Sequence, residues 1–362
     1  MRNISKVGVP VLNMKYSSDV LVIGGGEIGI CAAYYLSEMG RRVVVVEQGE
    51  IASGCSYGNA GLIVPSHSIP LAAPGVIAEG VRWLFNPKSP FYVKPRLDFG
   101  LLSWLWSFYR NCNHSKMLES LNVLKEIGFA SLAQFDSMIK NKGLECGYQQ
   151  AGWLLIYKTQ EGFSHGIVEA ALLRDHGIKV NTLSRDETLA LEPSVRSDVV
   201  GSINYLCEAH LDPAKFVLEL TKRLDSGKVE IHTETQVTGF EVDVDKLTGV
   251  VTTKGDFNPK VVVMAGGALV PGLAARLGIK VEVQPARGYS VSLKEMENIP
   301  RRPLYLCEEK VAVTPLEGEV RLAGVLEMAG MDLSISGQRV EGILEAAGNY
   351  LKLSGNELKS EP

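Results

Sequence analysis

Residues 19–47 read DVLVIGGGEIGICAAYYLSEMGRRVVVVE, and the reading of this stretch decides the fold. The β-branched run Val20–Ile23 has the texture of a strand buried on both faces. It meets the turn Gly24-x-Gly26-x-x-Gly29, then a helical segment of small apolar residues, then a second buried run, Val43–Val46, closed by Glu47. Strand, glycine turn, helix, strand and terminal acid together form the β-α-β fingerprint of a dinucleotide site. Gly24 permits the tight turn, Gly26 lets the backbone approach a pyrophosphate, and Gly29 lets helix and strand pack closely. The helix N-terminus adds N–H groups and positive dipole for the phosphates. Glu47 is placed to accept hydrogen bonds from a ribose diol.

Working outward, Gln48–Gly75 (QGEIASGCSYGNAGLIVPSHSIPLAAPG) is a long loop rich in Gly, Ser, Pro and Ala, and long ordered loops tend to be functional. The aromatic stretch Phe99–Cys112 predicts a helix buried beneath the site, with a peripheral membrane or partner contact as the alternative, and residues 118–143 a long amphipathic helix with Leu121, Leu124, Ile127 and Phe129 in its apolar stripe. Strands are expected at 149–157 and 201–206 and a helix over about 161–176. Ser184-x-x-Glu187 is a capping box. Asp212-Pro213 opens a further helix. Lys260–Met264 is again a continuous apolar run, ending at Ala265-Gly266-Gly267. It predicts a return to the parallel sheet. Val281–Leu293, Val311–Thr314 and Arg321–Val325 alternate as antiparallel strands do, and a last helix is expected over about 338–351.

Composition excludes several classes. Of 362 residues 46% are hydrophobic and 22% charged, ordinary for a globular chain, and the net charge of −4 leaves no basic footprint for nucleic acid. The six cysteines form no CxxC and no His-Cys cluster, which argues against zinc, iron–sulfur and disulfide scaffolds and for a reducing compartment. No run approaches the roughly 18 apolar residues of a membrane span, and residues 1–16 lack the apolar core of a secretory signal. The expected location is cytoplasmic, with peripheral membrane association left open.

Several stretches occur in an order that resembles the FAD-dependent D-amino acid oxidases and dehydrogenases. They are GGGEIGICAAYYL…VVVVE, SYGNAGLIVPSHSIPLAAPG, EAHLDPAKFV, VVVMAGG, QPARGYS and RLAGVLEMAG. The NAG-x-x-x-P…APG loop looks most like the small-subunit branch of bacterial D-amino acid dehydrogenases. Glycine oxidase, sarcosine oxidase and hydroxyproline dehydrogenases are broader relatives. The resemblance implies an α/β fold: a Rossmann-like FAD-binding domain with a second α+β substrate domain on a mostly antiparallel sheet. It places the FAD domain at 17–64 and 207–280, the substrate domain at 65–206 and 281–352, and an extension at 1–16.

For FAD it implies Val22, Ile23, Gly24, Gly25, Gly26, Glu27, Ile28 and Gly29 at the pyrophosphate, Glu47 at the ribose and Gln48 beside the adenine. Ser56, Asn59, Ala60 and Gly61 would follow the ribityl path beneath the isoalloxazine, their N–H groups within reach of flavin N5 or O4. Val237 would bracket the adenine through its backbone, an ordinary core valine being the plain alternative. Ala265 and Gly266 would let the returning strand end close to the cofactor. Tyr289, the catalytic candidate, would point toward the substrate, bonding its carboxylate or only lining the pocket, whereas Arg287 reads as a solvated charge, His67 as a surface or satisfied histidine and Cys55 as a small packed thiol. The implied reaction is oxidative deamination of D-amino acids by hydride transfer from Cα to flavin N5, followed by hydrolysis of the imino acid. Electrons would pass to a quinone, an acceptor protein or oxygen, and no metal is implied.

Glycine, sarcosine or hydroxyproline are alternative substrates, and oligomerisation is left open. A nicotinamide dehydrogenase is disfavoured by the NAG loop. Relatives continue with an RPxTPDGxPxIG segment and a Gly-His-Gly turn where this sequence ends at ELKSEP. A form lacking that C-terminal part, down to a noncatalytic FAD-binding remnant or subunit, is therefore a further expectation.

Overall fold

The computed structural model describes residues 15–77, 80, 90–94, 98–294, 296–332 and 334–353. Residues 1–14 of the expected extension lie outside this set, while Lys15 and Tyr16 already belong to the first strand. In chain order the strands of the first half are β1 (Lys15–Ile23), β2 (Val43–Val46), β3 (Leu62–Ile63), β4 (Phe91–Val93), β5 (Trp153–Tyr157), β6 (Val180–Ser184), β7 (Gly201–Tyr205) and β8 (Ala209–His210). They are followed by β9 (Val229–His232), β10 (Val237–Asp243), β11 (Lys246–Thr252), β12 (Gly255–Met264), β13 (Arg287–Lys294), β14 (Leu304–Leu306), β15 (Val311–Leu316) and β16 (Glu319–Met328).

Two compact units result, 1–54 with 220–283 and 55–219 with 284–362. The first carries a six-stranded sheet ordered β10-β11-β12-β1-β2-β9. β1 lies between β12 and β2, parallel to both, and Ile23 registers with Met264 and Val46. The continuous apolar runs are therefore central strands, and Leu21, Ile23, Val44, Val46, Val237, Val250 and Phe257 form one core. The expected return of the chain at Lys260–Met264 is β12 itself.

The second unit is built on an eight-stranded mixed sheet ordered β13-β16-β15-β14-β5-β7-β6, with β4 added parallel to β16. Alternation gives this sheet two distinct faces. Leu154, Ile156, Val291, Leu293, Leu304, Val313 and Leu322 point to one face, where Val340, Ile343, Ala346, Ala347 and Tyr350 of the helix Gly337–Tyr350 cover them. The other face carries Trp153, Tyr157, Ile203, Tyr205 and Cys307, packed with Leu121, Ala170 and Leu173.

Boundaries and burial differ from expectation in several places, the expected strand Val281–Leu293 starting only at Arg287 and residues 281–283 belonging to the first unit. Residues 55–64 and 207–219 pack with the second unit, because β3 pairs antiparallel with β8 and the loop before β3 bonds to β15 and β16. The helix Phe99–Asn111 is not a buried floor: Leu101 is its buried residue, while Phe99, Leu102, Trp106 and Tyr109 are exposed. Gly100, Ser103, Ser107 and Arg110 share one face and the apolar residues fill a wide opposite arc, on which the rings cover one another, Trp104 on Phe108 and Trp106 on Tyr109. In the helix His114–Lys142, Leu121 is buried with Leu132, Met138 and Ile139, but Leu124 and Ile127 face solvent.

Candidate functional site

In the first unit the glycine turn is built without room for side chains. Gly24 has φ of 115°, and a Cβ there would lie 2.6 Å from the Ala265 carbonyl oxygen. A Cβ on Gly29 would lie 1.8 Å from the Gly24 carbonyl oxygen, so the helix Glu27–Glu38 starts in direct contact with the turn. Gly26 is its N-cap and supplies no side-chain acceptor. A cradle of this shape, with an uncapped helix N-terminus above it, fits a dinucleotide pyrophosphate. Val22, Ile23 and Gly25 are buried beneath it, and Ile28 is exposed. Glu27 is half-buried in the first turn, where burial raises its carboxyl above the usual range.

Glu47 does more than its ribose assignment implies. Its carboxylate accepts from the Gly25 N–H at 2.6 Å and from the Gly49 N–H at 3.0 Å, joining the two turns at the ends of β1 and β2. The Glu47 backbone is held in turn by His232 O and the Thr235 N–H. Gln48 beside it is exposed. Ala265 donates to Ile23 O at 2.8 Å, which brings Ala265 and Gly266 to the glycine turn. The Val237 side chain is in the core, at the start of edge strand β10.

In the second unit the segment Ser56–Gly61 is fastened at every peptide from Tyr57 to Gly61 but one. Asn59 Oδ1 accepts from Gly61 N at 2.8 Å, and Asn59 Nδ2 donates to Cys55 O at 3.2 Å. Gly61, at φ 66°, leaves no space for a Cβ, which would lie 2.2 Å from Leu211 O. Two residues that sequence reasoning missed hold the segment to the sheet. Arg321 Nη1 donates to Tyr57 O at 3.1 Å and Asn59 O at 3.2 Å, and Thr314 Oγ1 donates to Ala60 O at 2.7 Å. Arg321 is 7% exposed, and its Nη2 donates to Glu319 Oε1 at 2.9 Å. The available signal was a lone arginine between Val320 and Leu322 in an apolar strand, the pattern of a buried charge with a partner. Cys55 is exposed rather than packed, and His67 is exposed with its ring 5.7 Å from that of Trp153.

Tyr289 is not brought to this segment. It shares the helix-covered face of the sheet with Val291 and Leu293, whereas Ser290, next to Gly58, points to the opposite face. The Tyr289 hydroxyl donates to Glu327 Oε2 at 2.8 Å, and Arg287 Nε donates to the same oxygen at 3.1 Å. Arg287 also reaches Asp332 O at 2.6 Å, so it is a paired, partly buried cation and not a solvated charge. Burial opposes ionisation of Glu327, but the bonds from Arg287 and Tyr289 prevail and hold its carboxyl below the usual range. Burial, then the bond to Glu327, pushes the Tyr289 phenol up. A bulge opposite Gly288 places Val325 at φ 65°, a strained conformation for a β-branched residue.

Two buried titratable groups flank Ala209 in β8. Glu208 is 0% exposed, accepts from Ser66 N at 3.2 Å, and is pushed up to about 7 by burial. His210 is 1% exposed and is pushed down to about 4, again by burial. Both are neutral near pH 6, the cheaper state for a buried group.

With this geometry established, comparison with known proteins defines the class. Residues 19–359 match the FAD dependent oxidoreductase (DAO) family, and the chain belongs to that family. It is a flavoenzyme whose cofactor is FAD. A D-amino acid dehydrogenase of Cereibacter sphaeroides is 30% identical over 89% of this chain and 75% of its own length. One of Granulibacter bethesdensis is 28% identical over 88% and 78%. Among solved structures, glycine oxidase from Geobacillus kaustophilus superposes with a TM-score of 0.72 at 19% identity, over 93% of this chain and 79% of that one. L-alpha-glycerophosphate oxidase from Mycoplasma pneumoniae, solved with FAD bound, gives 0.67 at 19% identity, over 94% and 80%. These two likenesses bear out the expected α/β fold with its second, sheet-based domain. No helix among the described residues is long and apolar enough to cross a membrane.

Proposed function

We propose that this chain oxidises D-amino acids to imino acids and hands the electrons to a quinone or an acceptor protein. The observation that carries the reading is the 28–30% identity to several D-amino acid dehydrogenases over most of the chain. FAD, when bound, accepts the substrate hydride, so the protein's task is binding and orientation. The turn Val22–Gly29 would hold the pyrophosphate, with Glu47 and Gln48 toward the adenosine, Val237 offering its backbone, and Ala265 and Gly266 at the end of β12. Ser56, Asn59, Ala60 and Gly61 would present small side chains and backbone N–H groups to the ring. Tyr289, bonded to Glu327 on the helix-covered face, would support the sheet.

The test is anaerobic addition of D-alanine, D-proline, glycine and sarcosine to the FAD-loaded protein while flavin absorbance is followed. Bleaching by D-amino acids and not by glycine or sarcosine is expected. Bleaching by glycine or sarcosine alone would move the substrate class, and no bleaching by any of the four would end the proposal.

A further inference from the structure

In the peptide between Asn59 and Ala60 the two ends are treated differently. Its carbonyl is bonded to the buried Arg321 guanidinium, while the Ala60 N–H has no partner among the described residues. In a trans peptide C=O and N–H point in opposite directions. Fixing Asn59 O against β16 therefore aims the Ala60 N–H away from the sheet. The neighbouring donor is already spent, since Gly61 N–H goes to Asn59 Oδ1. A second cross-link, Thr314 to Ala60 O, prevents the peptides on either side from rotating together. The cation is itself fixed, because Glu319 accepts from Arg321 and from Ser292 Oγ at 2.9 Å each. Accepting a hydrogen bond from a cation also polarises the peptide and strengthens the N–H at its far end.

We infer that Arg321 is a positioning residue whose role is to present the Ala60 N–H as the loop's hydrogen-bond donor to the flavin ring. This rests on the assignment of Ser56–Gly61 to the ring made above. A donor at an acceptor atom of the ring stabilises the electron-rich reduced flavin more than the oxidised one. Arg321 would thereby raise the reduction potential as well as the affinity for FAD. Arginine serves the two carbonyls through Nη1 and Glu319 through Nη2 in one planar fork, and lysine at this position keeps the charge without that fork.

The experiment uses full-length wild type, Arg321→Lys, Arg321→Ala and Gly61→Ala, each loaded with FAD. Readouts are the FAD dissociation constant from flavin fluorescence, the oxidised flavin spectrum, the midpoint potential and the thermal midpoint. Arg321→Ala is expected to weaken FAD binding about tenfold, to shift the visible flavin bands and to lower the potential, with Arg321→Lys between it and wild type. If Arg321→Ala does not fold, Arg321→Lys decides alone. A lower thermal midpoint with unchanged spectrum, affinity and potential in Arg321→Lys would leave Arg321 a structural residue and overturn the inference. Gly61→Ala separates the two levels, because its Cβ has to displace the loop. If it changes the flavin parameters while Arg321→Lys does not, the inference fails alone. If it changes none, the assignment of the loop to the ring fails with it.

Discussion

Replacing Glu47 by glutamine separates two roles that one carboxylate plays. The structure gives it two backbone donors, Gly25 N–H at 2.6 Å and Gly49 N–H at 3.0 Å, before any ligand is considered. A glutamine keeps one acceptor oxygen and turns an N–H toward the other site. The buried Gly25 retains the oxygen, and half-buried Gly49 loses its partner and gains water. A lost charge-assisted bond at a partly wet site is worth about 1–2 kcal/mol, and the alanine variant, which loses both, about 2–4 kcal/mol. Against a typical total stability of about 5–15 kcal/mol these are large fractions. The thermal midpoint of the FAD-free protein should fall by about 3–6 °C in Glu47→Gln and further in Glu47→Ala. FAD affinity should fall in both, because the ribose acceptor and the alignment of the turn are weakened together. An FAD-free Glu47→Gln protein with the wild-type midpoint would refute the reasoning and leave Glu47 as a ligand-facing group alone.

Gly29→Ala places a Cβ 1.8 Å from Gly24 O, so the helix start has to move by more than an ångström. A loss of about 2–3 kcal/mol in urea denaturation and of bound flavin is expected, and wild-type flavin content would contradict it. Tyr289→Phe removes one bond to Glu327 and leaves the Arg287 pair intact. It should cost about 1 kcal/mol of stability with KM for D-amino acids unchanged, and a tenfold rise in KM would return Tyr289 to the substrate. For pH, Glu208 in the folded state titrates at about 7 against an ordinary 4.5, so its contribution is intact below 4.5 and is lost as pH rises through 7. His210 titrates at about 4 against 6.5, so its contribution is intact above 6.5 and is lost as pH falls. Between pH 4.5 and 6.5 the two slopes oppose each other, and Glu208→Gln should expose the His210 slope of up to about 1.4 kcal/mol per pH unit. Identical stability–pH profiles for the two proteins would show that Glu208 is not held as described.

What could be read from the sequence follows from how far apart the interacting residues lie. The β-α-β unit is contiguous from Asp19 to Glu47, so strand, turn and acid carried their own spacing. The return of the sheet at Lys260 was legible because a central parallel strand is apolar throughout and ends at a glycine. The Arg321 clamp on Tyr57 and Asn59 was not, since it joins residues more than 260 positions apart, and no local period reports such a pairing. Glu47 was recognised for the ligand it can bind and not for the turns it ties, because Gly25 and Gly49 donate through backbone that no side-chain pattern marks.

Tyr289 is the more instructive case. In RGYSVSLK the alternation sets Tyr289, Val291 and Leu293 on one face and Gly288, Ser290 and Ser292 on the other. The apolar face is the one that the helix Gly337–Tyr350 buries, and the serine face is the one that meets Gly58 and, through Glu319, Arg321. Period-two reasoning therefore separates the helix-covered face from the serine face on this strand. The resemblance points to the tyrosine, the residue with the richer chemistry. Burying its ring beside Val291 and Leu293 obliged the hydroxyl to find a partner, and Glu327, held by Arg287, is that partner.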